Sequence, residues 1–303
     1  MRVLHVLTGC TAVGKTEWAL RWAQENGAEI ISCDSLLFYR GMDIGTAKPG
    51  KEERNRVPHH LIDIRDVSEP MNAAIYASMA LRAAEDIAAR GRAVLVVGGS
   101  GFYLRSFFAP VADGIDVTPD VRATVAGLLE SGGLPALVAR LSRLNPEGLG
   151  RLDTENPRRV AGALGRCLAS GRTLAELSSD FARTAPAFAG WEVRLARIDR
   201  DGADLERRIA ARVDEMLRDG LVDEVRGLLP RGLRANPSAA RAIGYRETID
   251  VLEGRTPEAA LAQAIAKDTR ALVKKQRTWF RTQLPSHAVI EAATLAEARQ
   301  LFA

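Results

Sequence analysis

The sequence predicts an α/β protein: a parallel β-sheet flanked by helices, with an all-helical insertion. Three observations predict this class. In the first third of the chain, short apolar stretches alternate with stretches of helical periodicity. Between residues 119 and 189 the strand pattern disappears and only helical stretches remain. After residue 190 a strand pattern returns and is followed by helices, so the insertion interrupts one larger fold.

The first third supplies the expected strand–helix alternation. Ala93–Val97 is an uninterrupted apolar run, which is typical of a strand buried on both faces of a parallel sheet. Glycines follow two of the predicted helices, as expected where a helix ends. The predicted elements are strands at Val3–Leu7, Glu29–Ser32 and Ala93–Val97, and helices at Glu17–Glu25, Ala73–Arg90 and Phe102–Ala109.

Glycine, proline and asparagine separate the helices of the insertion, which points to a helical unit rather than one long helix. The domain prediction is therefore a core of residues 1–118 and 190–303 with an insertion of residues 119–189. In the insertion we expect helices at Val121–Ser131, Leu134–Leu144, Pro157–Ala169 and Leu174–Phe181. After it we expect a strand at Val193–Ile198 and helices at Asp204–Arg218, Val222–Leu229 and Pro257–Gln283.

Composition places the chain among ordinary globular proteins. Of 303 residues, 47% are hydrophobic and 26% charged, which allows a sizeable core. The three cysteines form no C-x-x-C pair and are read as reduced thiols. No apolar stretch approaches the length of a membrane span, and the N-terminus leads directly into a predicted core strand. We therefore expect a cytoplasmic protein with no membrane partner.

A complete phosphate-binding loop follows the first strand. The pattern is glycine, four residues, then Gly-Lys-Thr, and a strand and a helix flank it as the motif requires. Its glycines let backbone N–H groups surround an anion, Lys15 reaches phosphate oxygens, and the Thr16 hydroxyl suits Mg²⁺. The sequence thus predicts a P-loop NTPase-like core that binds linked phosphates. The loop consists of Gly9, Cys10, Thr11, Ala12, Val13, Gly14, Lys15 and Thr16.

Two further segments follow predicted strands. Asp34 comes after the second strand, so it should face the same crevice as the P-loop, where a carboxylate can act as a general base or hold a metal. The alternative is a helix cap or structural ion pair. Gly98–Gly101 follows the third strand and either approaches a ligand or forms a tight packing turn.

The predicted C-terminal helix carries a stripe of positive charge. Basic residues recur at spacings of three and four along one face. Such a stripe can follow nucleic-acid phosphates, although a solvated helix face would look the same. Its members are Lys267, Arg270, Lys274, Arg277 and Arg281.

Taken together, the motifs resemble one family, the tRNA dimethylallyltransferases, also called tRNA isopentenyltransferases. The matching segments are TGCTAVGKT, ISCDSLLFYRGMDIGTAKP, VPHHLID, VVGGSGFYL, ENPRRVAGAL, ARAIGYRE and TRALVKKQRTWFR, which cover nearly the whole chain. A generic P-loop kinase has neither the second segment nor the last.

The resemblance implies a specific reaction. Dimethylallyl diphosphate donates its five-carbon group to N6 of the adenosine 3′-adjacent to the anticodon of tRNA, and diphosphate leaves. The P-loop would then bind a leaving group, with Thr11 near the bridging oxygen and Lys15 on the phosphates. Asp34 would contact the adenine amino group and act as base, and Thr16 would meet Mg²⁺.

The resemblance also implies an RNA interface, a helical insertion that contacts the anticodon loop, and a monomer. Positions that match family tRNA contacts are Asp34, Ser35, Leu36, Leu37, Ser100, Arg122, Arg158, Arg159, Arg241, Gly244, Tyr245, Arg246, Lys274, Lys275, Gln276, Arg277, Thr278, Trp279 and Arg281. The chain departs from the family pattern at Cys10, Leu37, Ser100, Gly162 and Gly165.

Three alternatives remain open on sequence alone. The chain could be a P-loop kinase that moves phosphate from ATP to a small acceptor, which would turn over ATP without RNA. It could transfer the isopentenyl group to a free adenine nucleotide, which would leave the basic stripe without a role. It could also be a non-catalytic RNA-binding protein, in which Asp34 would be dispensable.

Overall fold

The computed structural model describes residues 2–111 and 115–302. Within them the chain forms one parallel sheet in the order β3-β2-β4-β1-β5-β6. The central strands are the most apolar and the most buried, as the sequence pattern predicts. The strands are β1 (Arg2–Thr8), β2 (Ala28–Ser32), β3 (His59–His60), β4 (Ala93–Val97), β5 (Trp191–Asp199) and β6 (Ala288–Glu291).

Helices connect the strands, because parallel neighbours need a crossover. They are α1 (Lys15–Glu25), α2 (Lys51–Arg56), α3 (Ala73–Ala89), α4 (Gly101–Leu104), α5 (Pro119–Leu144), α6 (Pro157–Ser170), α7 (Leu174–Arg183), α8 (Gly202–Arg218), α9 (Leu221–Leu228), α10 (Pro237–Ala240), α11 (Tyr245–Leu252) and α12 (Leu261–Gln283). Short 3₁₀ turns occur at Arg105–Phe107, Leu233–Ala235, Glu258–Ala260 and Ala298–Phe302.

The described chain divides into two compact units. One contains the sheet and spans residues 1–109 and 187–303; the other is helical and spans residues 110–186. The insertion predicted from the sequence spans residues 119–189. The helical unit has its own core, formed by apolar side chains of α5, α6 and α7 such as Leu137, Leu141, Leu164 and Leu177.

The two helices expected at 121–131 and 134–144 are both present within α5, on either side of the non-helical Gly133 (φ 65°, ψ −166°). Other local predictions need correction. The C-terminal helix begins at Leu261 rather than Pro257, since a 3₁₀ turn occupies residues 258–260. The predicted helix at 102–109 divides into α4 and a 3₁₀ turn. The edge strands β3 and β6 were missed because they are short and largely polar or exposed.

Candidate active site

The loop after β1 is shaped by residues that only a tight turn accepts. Gly9 has φ 154°, and a Cβ at this position would lie 2.4 Å from the backbone oxygen of Ile198. Gly14 and Ala12 are left-handed, at φ 98° and 63°. Within the described residues, the backbone N–H groups of Ala12, Val13 and Gly14 donate no hydrogen bond to protein. The turn therefore offers unpaired donors, which is the chemistry of an anion site.

Lys15 folds over this turn. Its Nζ donates to the backbone oxygens of Gly9 (2.8 Å) and Cys10 (2.7 Å). Burial lowers the pKa of Lys15 to about 8, against the opposing effect of the Asp34 carboxylate. Two backbone oxygens and the Asp34 charge thus hold the ammonium in place, and a bound phosphate would add a further counter-charge.

Asp34 and Lys15 line the same cavity, of about 540 Å³, at the carboxyl edge of the sheet. Thr11 and Thr16 of the P-loop and Gly99 after β4 also line it. Asp34 is half-buried, and its Oδ1 accepts a hydrogen bond from the backbone N–H of Leu36 (3.0 Å). This bond fixes the carboxylate at the end of β2 and leaves its other oxygen for an incoming group.

Part of the cavity wall is apolar, and the rest includes the carboxylates of Glu17, Glu53 and Glu215. Ile30, Leu37, Ile62 and Val97 line the apolar part, together with alanines of α1 and α8. One cavity thus combines a cationic, anion-binding end with a hydrocarbon surface. This pairing suits a ligand that carries both a phosphate group and an apolar group.

Two arginines of α8 complete the charged end, and the sequence analysis did not identify them. Arg208 Nε donates to the backbone oxygen of Ala12 (2.8 Å). Arg212 donates through Nη1 to Thr11 Oγ1 (3.4 Å) and through Nη2 to the Thr46 oxygen (3.1 Å). Burial lowers the pKa of Arg212, and Asp34 opposes that shift. Their spacing of four on one helix face was visible in the sequence, but their meeting with the P-loop is a tertiary contact.

Helix α12 closes the turn from the other side. Gln276 accepts a hydrogen bond from the Thr11 backbone N–H (3.1 Å) and donates to the Gly99 oxygen (2.9 Å), so it connects the two glycine turns. Trp279 packs on Gly101 so closely that a Cβ there would lie 2.4 Å from its ring. The packing explanation for Gly101 is therefore the one that the structure supports.

Arg277, expected to contact tRNA, instead makes contacts within the protein. Its Nη2 donates to Asp199 Oδ1 (2.9 Å) and to the Arg200 backbone oxygen (2.5 Å). Burial alone would raise the pKa of Asp199, but the Arg200 N–H and the Arg277 guanidinium hold it below its usual value. Arg277 thus ties α12 to the end of β5, while 37% of its side chain remains exposed.

The glycine-rich segment at residues 39–49 is anchored by one carboxylate. Glu224 accepts hydrogen bonds from the backbone N–H groups of Asp43 (2.9 Å), Ile44 (2.7 Å) and Gly45 (3.1 Å). It also accepts one from the Tyr245 hydroxyl (2.6 Å). Tyr245 is fully buried and leaves no room for a Cβ at Gly45. We therefore correct its predicted role: the Tyr245 side chain supports this loop and offers no surface to RNA.

Other predicted RNA contacts differ in accessibility. Gly244 is buried, and Arg246 is exposed and forms ion pairs with Glu247 and Asp268. In the helical unit, Arg122 donates to the Val117 oxygen and Arg159 pairs with Asp153. The side chains with most surface available are those of Ser35, Arg158, Arg241, Lys274, Lys275, Thr278 and Arg281, whereas Leu36, Leu37 and Ser100 are half-buried.

Residues 2–111 and 115–302 contain no group of three or more His, Cys, Asp or Glu side chains arranged to hold a metal ion. Over the same ranges, no helix combines the length and apolar character required to span a membrane.

Comparison with known proteins identifies the family. The profile of the family described as IPP transferase matches residues 37–283. The chain belongs to this family. It is 66% identical over 299 residues to a tRNA dimethylallyltransferase of Opitutus terrae, covering 99% of this chain and 96% of that one. It is 40% identical to a tRNA dimethylallyltransferase of Deinococcus radiodurans, covering 98% of this chain and 94% of that protein.

A solved structure of a related protein has the same fold. The full-length tRNA isopentenylpyrophosphate transferase of Bacillus halodurans aligns with a TM-score of 0.71 and 32% identity, covering 99% of this chain and 93% of that one. The resemblance and the fold class expected from the sequence are thus both confirmed.

Proposed function

We propose that this IPP transferase family member is a tRNA dimethylallyltransferase. It transfers the dimethylallyl group of dimethylallyl diphosphate to N6 of the adenosine 3′-adjacent to the anticodon and releases diphosphate. The observation that carries the proposal is the single cavity lined by both Asp34 and Lys15. Family membership supplies the substrate class, and the cavity supplies groups suited to each part of the reaction.

The donor fits the polarity of the cavity. Its diphosphate would lie against the free N–H groups of the P-loop, with Lys15 and Arg212 as cationic partners. Its five-carbon group would lie against the apolar wall formed by residues such as Ile62 and Val97. Charge develops on the bridging oxygen as the carbon–oxygen bond breaks, so donors preorganised around the diphosphate stabilise the transition state more than the ground state.

We assign Asp34 the role of proton acceptor. The N6 lone pair of adenine is delocalised, and transfer of an N6 proton to the Asp34 carboxylate makes that nitrogen a better nucleophile. The new carbon–nitrogen bond forms as the bond to diphosphate breaks, and the electron pair leaves with diphosphate. The target base must leave its stack to reach this position.

A magnesium ion would fit beside Thr16. The Thr16 hydroxyl lines the cavity at the proposed diphosphate position. Mg²⁺ usually keeps several waters and binds through one or two protein oxygens and substrate phosphates, so a site with few protein ligands is suitable. Mg²⁺ would neutralise charge on the leaving diphosphate.

Exposed basic side chains in both units would bind the RNA. We propose Lys274, Lys275 and Arg281 of α12 as phosphate contacts, and the helical unit, through Arg122, Arg158 and Arg159, as the part that contacts the anticodon loop. A monomeric state and a cytoplasmic location remain predictions.

Transfer of label tests the function directly. The protein is incubated with unmodified tRNA, Mg²⁺ and isotope-labelled dimethylallyl diphosphate, and the tRNA is digested to nucleosides. We expect label in one modified adenosine from the position next to the anticodon. Label on AMP but not on tRNA, or phosphate transfer from ATP to a small acceptor without prenyl transfer, would overturn the proposal.

A further inference from the structure

Phe102 is an aromatic side chain without a structural reason to be exposed. Among the described residues, three large hydrophobic side chains are exposed, and Phe102 is the most exposed at 65%. The other two, Leu129 and Val289, are aliphatic. Exposure of a whole phenyl ring sacrifices the stabilisation that burial would give, so a ring in this position suggests a binding partner.

Phe102 lies close to the catalytic cavity. It follows the turn at residues 98–101, in which Gly99 lines the cavity and Gly101 packs beneath Trp279. Its neighbour Tyr103 is buried, and the two rings meet edge to face with centroids 6.2 Å apart. The backbone beneath Phe102 is thus fixed by packing, while the ring itself remains in solvent.

Cationic side chains lie on the elements that flank Phe102. Arg105, three residues further on, shares its helical face and is exposed. Lys274 and Lys275 are exposed on α12, the helix that packs against this turn through Gln276 and Trp279. Over the described ranges, no ion pair involves Arg105, Lys274 or Lys275. An exposed ring among unpaired cations is the combination by which proteins bind single-stranded nucleic acid.

We propose that Phe102 is a stacking residue for RNA, with its ring packed on an anticodon-loop base next to the target adenosine and Arg105 against the adjoining phosphate. This rests on the proposed function, because extrusion of the target base leaves its neighbours unstacked. Phe102 takes no part in the chemical step. It positions the loop so that the extruded adenine enters the cavity.

The proposal is tested by substitutions of Phe102 that distinguish the effect of an aromatic face from that of apolar volume. Phe102→Tyr and Phe102→Trp keep an aromatic face, Phe102→Leu keeps apolar bulk alone, and Phe102→Ala removes both. We expect Phe102→Leu and Phe102→Ala to bind an anticodon stem-loop RNA about tenfold more weakly, and Phe102→Tyr to bind like wild type. The rate at saturating RNA and the KM for the donor should change less than about twofold. Val289→Ala, which removes an exposed apolar side chain elsewhere, should change none of these.

A fluorescent base reports stacking itself. The stem-loop RNA carries 2-aminopurine next to the target adenosine, and its fluorescence should be quenched by wild type and Phe102→Tyr but not by Phe102→Leu. Equal binding and quenching by Phe102→Leu and wild type would overturn the proposal, as would unchanged RNA affinity in Phe102→Ala. Label transfer by wild type is measured in parallel, so failure of the proposed function is seen separately.

Discussion

Two neighbouring loops at the carboxyl edge of the sheet use their backbone groups in opposite ways. In the turn at residues 9–16, three successive N–H groups donate to no described protein atom. In the loop at residues 39–49, three successive N–H groups all donate to the single carboxylate of Glu224. Both loops belong to segments that resemble the family, yet only the first is arranged to receive a ligand.

The second loop still influences the cavity, through its inner edge. Thr46 and Ala47 line the cavity, and the Thr46 backbone oxygen accepts a hydrogen bond from Arg212 (3.1 Å). Lys48 holds the base of the loop by donating to the Tyr39 oxygen (2.8 Å) and to Asp63 (2.5 Å). The comparison shows that a characteristic loop can serve a site by holding its wall in place, with its own polar groups already satisfied.

Substitution of Asp34 should give the largest effect and should leave stability intact. Asp34→Asn keeps the size of the side chain and can still accept the Leu36 hydrogen bond, but it is a far weaker base. We expect the single-turnover transfer rate to fall by about 10²-fold or more, with tRNA affinity within twofold and an unchanged melting temperature. Rapid-quench transfer assays and RNA titrations measure these quantities.

Asp86→Asn provides the matched control, since Asp86 is exposed on α3, away from the cavity. It should transfer at the wild-type rate. A wild-type rate in Asp34→Asn would remove the general-base role, and a large loss of melting temperature would instead make Asp34 a structural residue like those of the second loop.

Substitution of Glu224 should have the opposite effect: it should lower stability and leave the transfer rate largely unchanged. Glu224→Ala leaves the N–H groups of Asp43, Ile44 and Gly45 and the Tyr245 hydroxyl without their acceptor. Water can replace only some of these hydrogen bonds. We therefore expect the free energy of unfolding to fall by about 2 kcal/mol and the melting temperature to fall by several degrees. The transfer rate at saturating substrates and low temperature should change much less than in Asp34→Asn.

Tyr245→Phe separates the parts of this network. It removes one hydrogen bond and keeps the ring packed on Gly45, so the free energy of unfolding should fall by about 1 kcal/mol. If Glu224→Ala kept the wild-type melting temperature but lost transfer, the second loop would belong to the reacting site and the contrast between the loops would be wrong.

The sequence predicted the parts of this site that depend on local pattern. The P-loop, its flanking strand and helix, and Asp34 at the end of β2 follow from spacing and from the rule that ligands bind beyond the carboxyl ends of parallel strands. Arg212 and Glu224 were not predicted, because they reach the two loops across more than 160 residues of chain. Tyr245 lies in a conspicuous motif, and only tertiary packing shows that its side chain is buried beneath the second loop.

Over the first pH unit above 8, the pH dependence of donor use should give a smaller effect than Asp34→Asn, and it tests the first loop alone. Lys15 has a pKa of about 8 in the folded protein, so above that pH it loses the charge that would bind diphosphate. Phosphate groups are already ionised there, with a second pKa near 6, so the donor does not change. We expect kcat/KM for dimethylallyl diphosphate to fall by about tenfold for each pH unit above 8 at saturating tRNA.

The stability contribution of Lys15 runs the other way. Its pKa is lower in the folded chain than the unfolded value of 10.5, so between about pH 8 and 10.5 the unfolded state binds more protons and this group favours folding as pH rises. The titration of Lys15 itself therefore does not destabilise the folded state over this range. Lys15→Met should show a low kcat/KM that is flat above pH 8. The same decline in that variant as in wild type would assign the titration to another group and leave the first loop without its proposed cation.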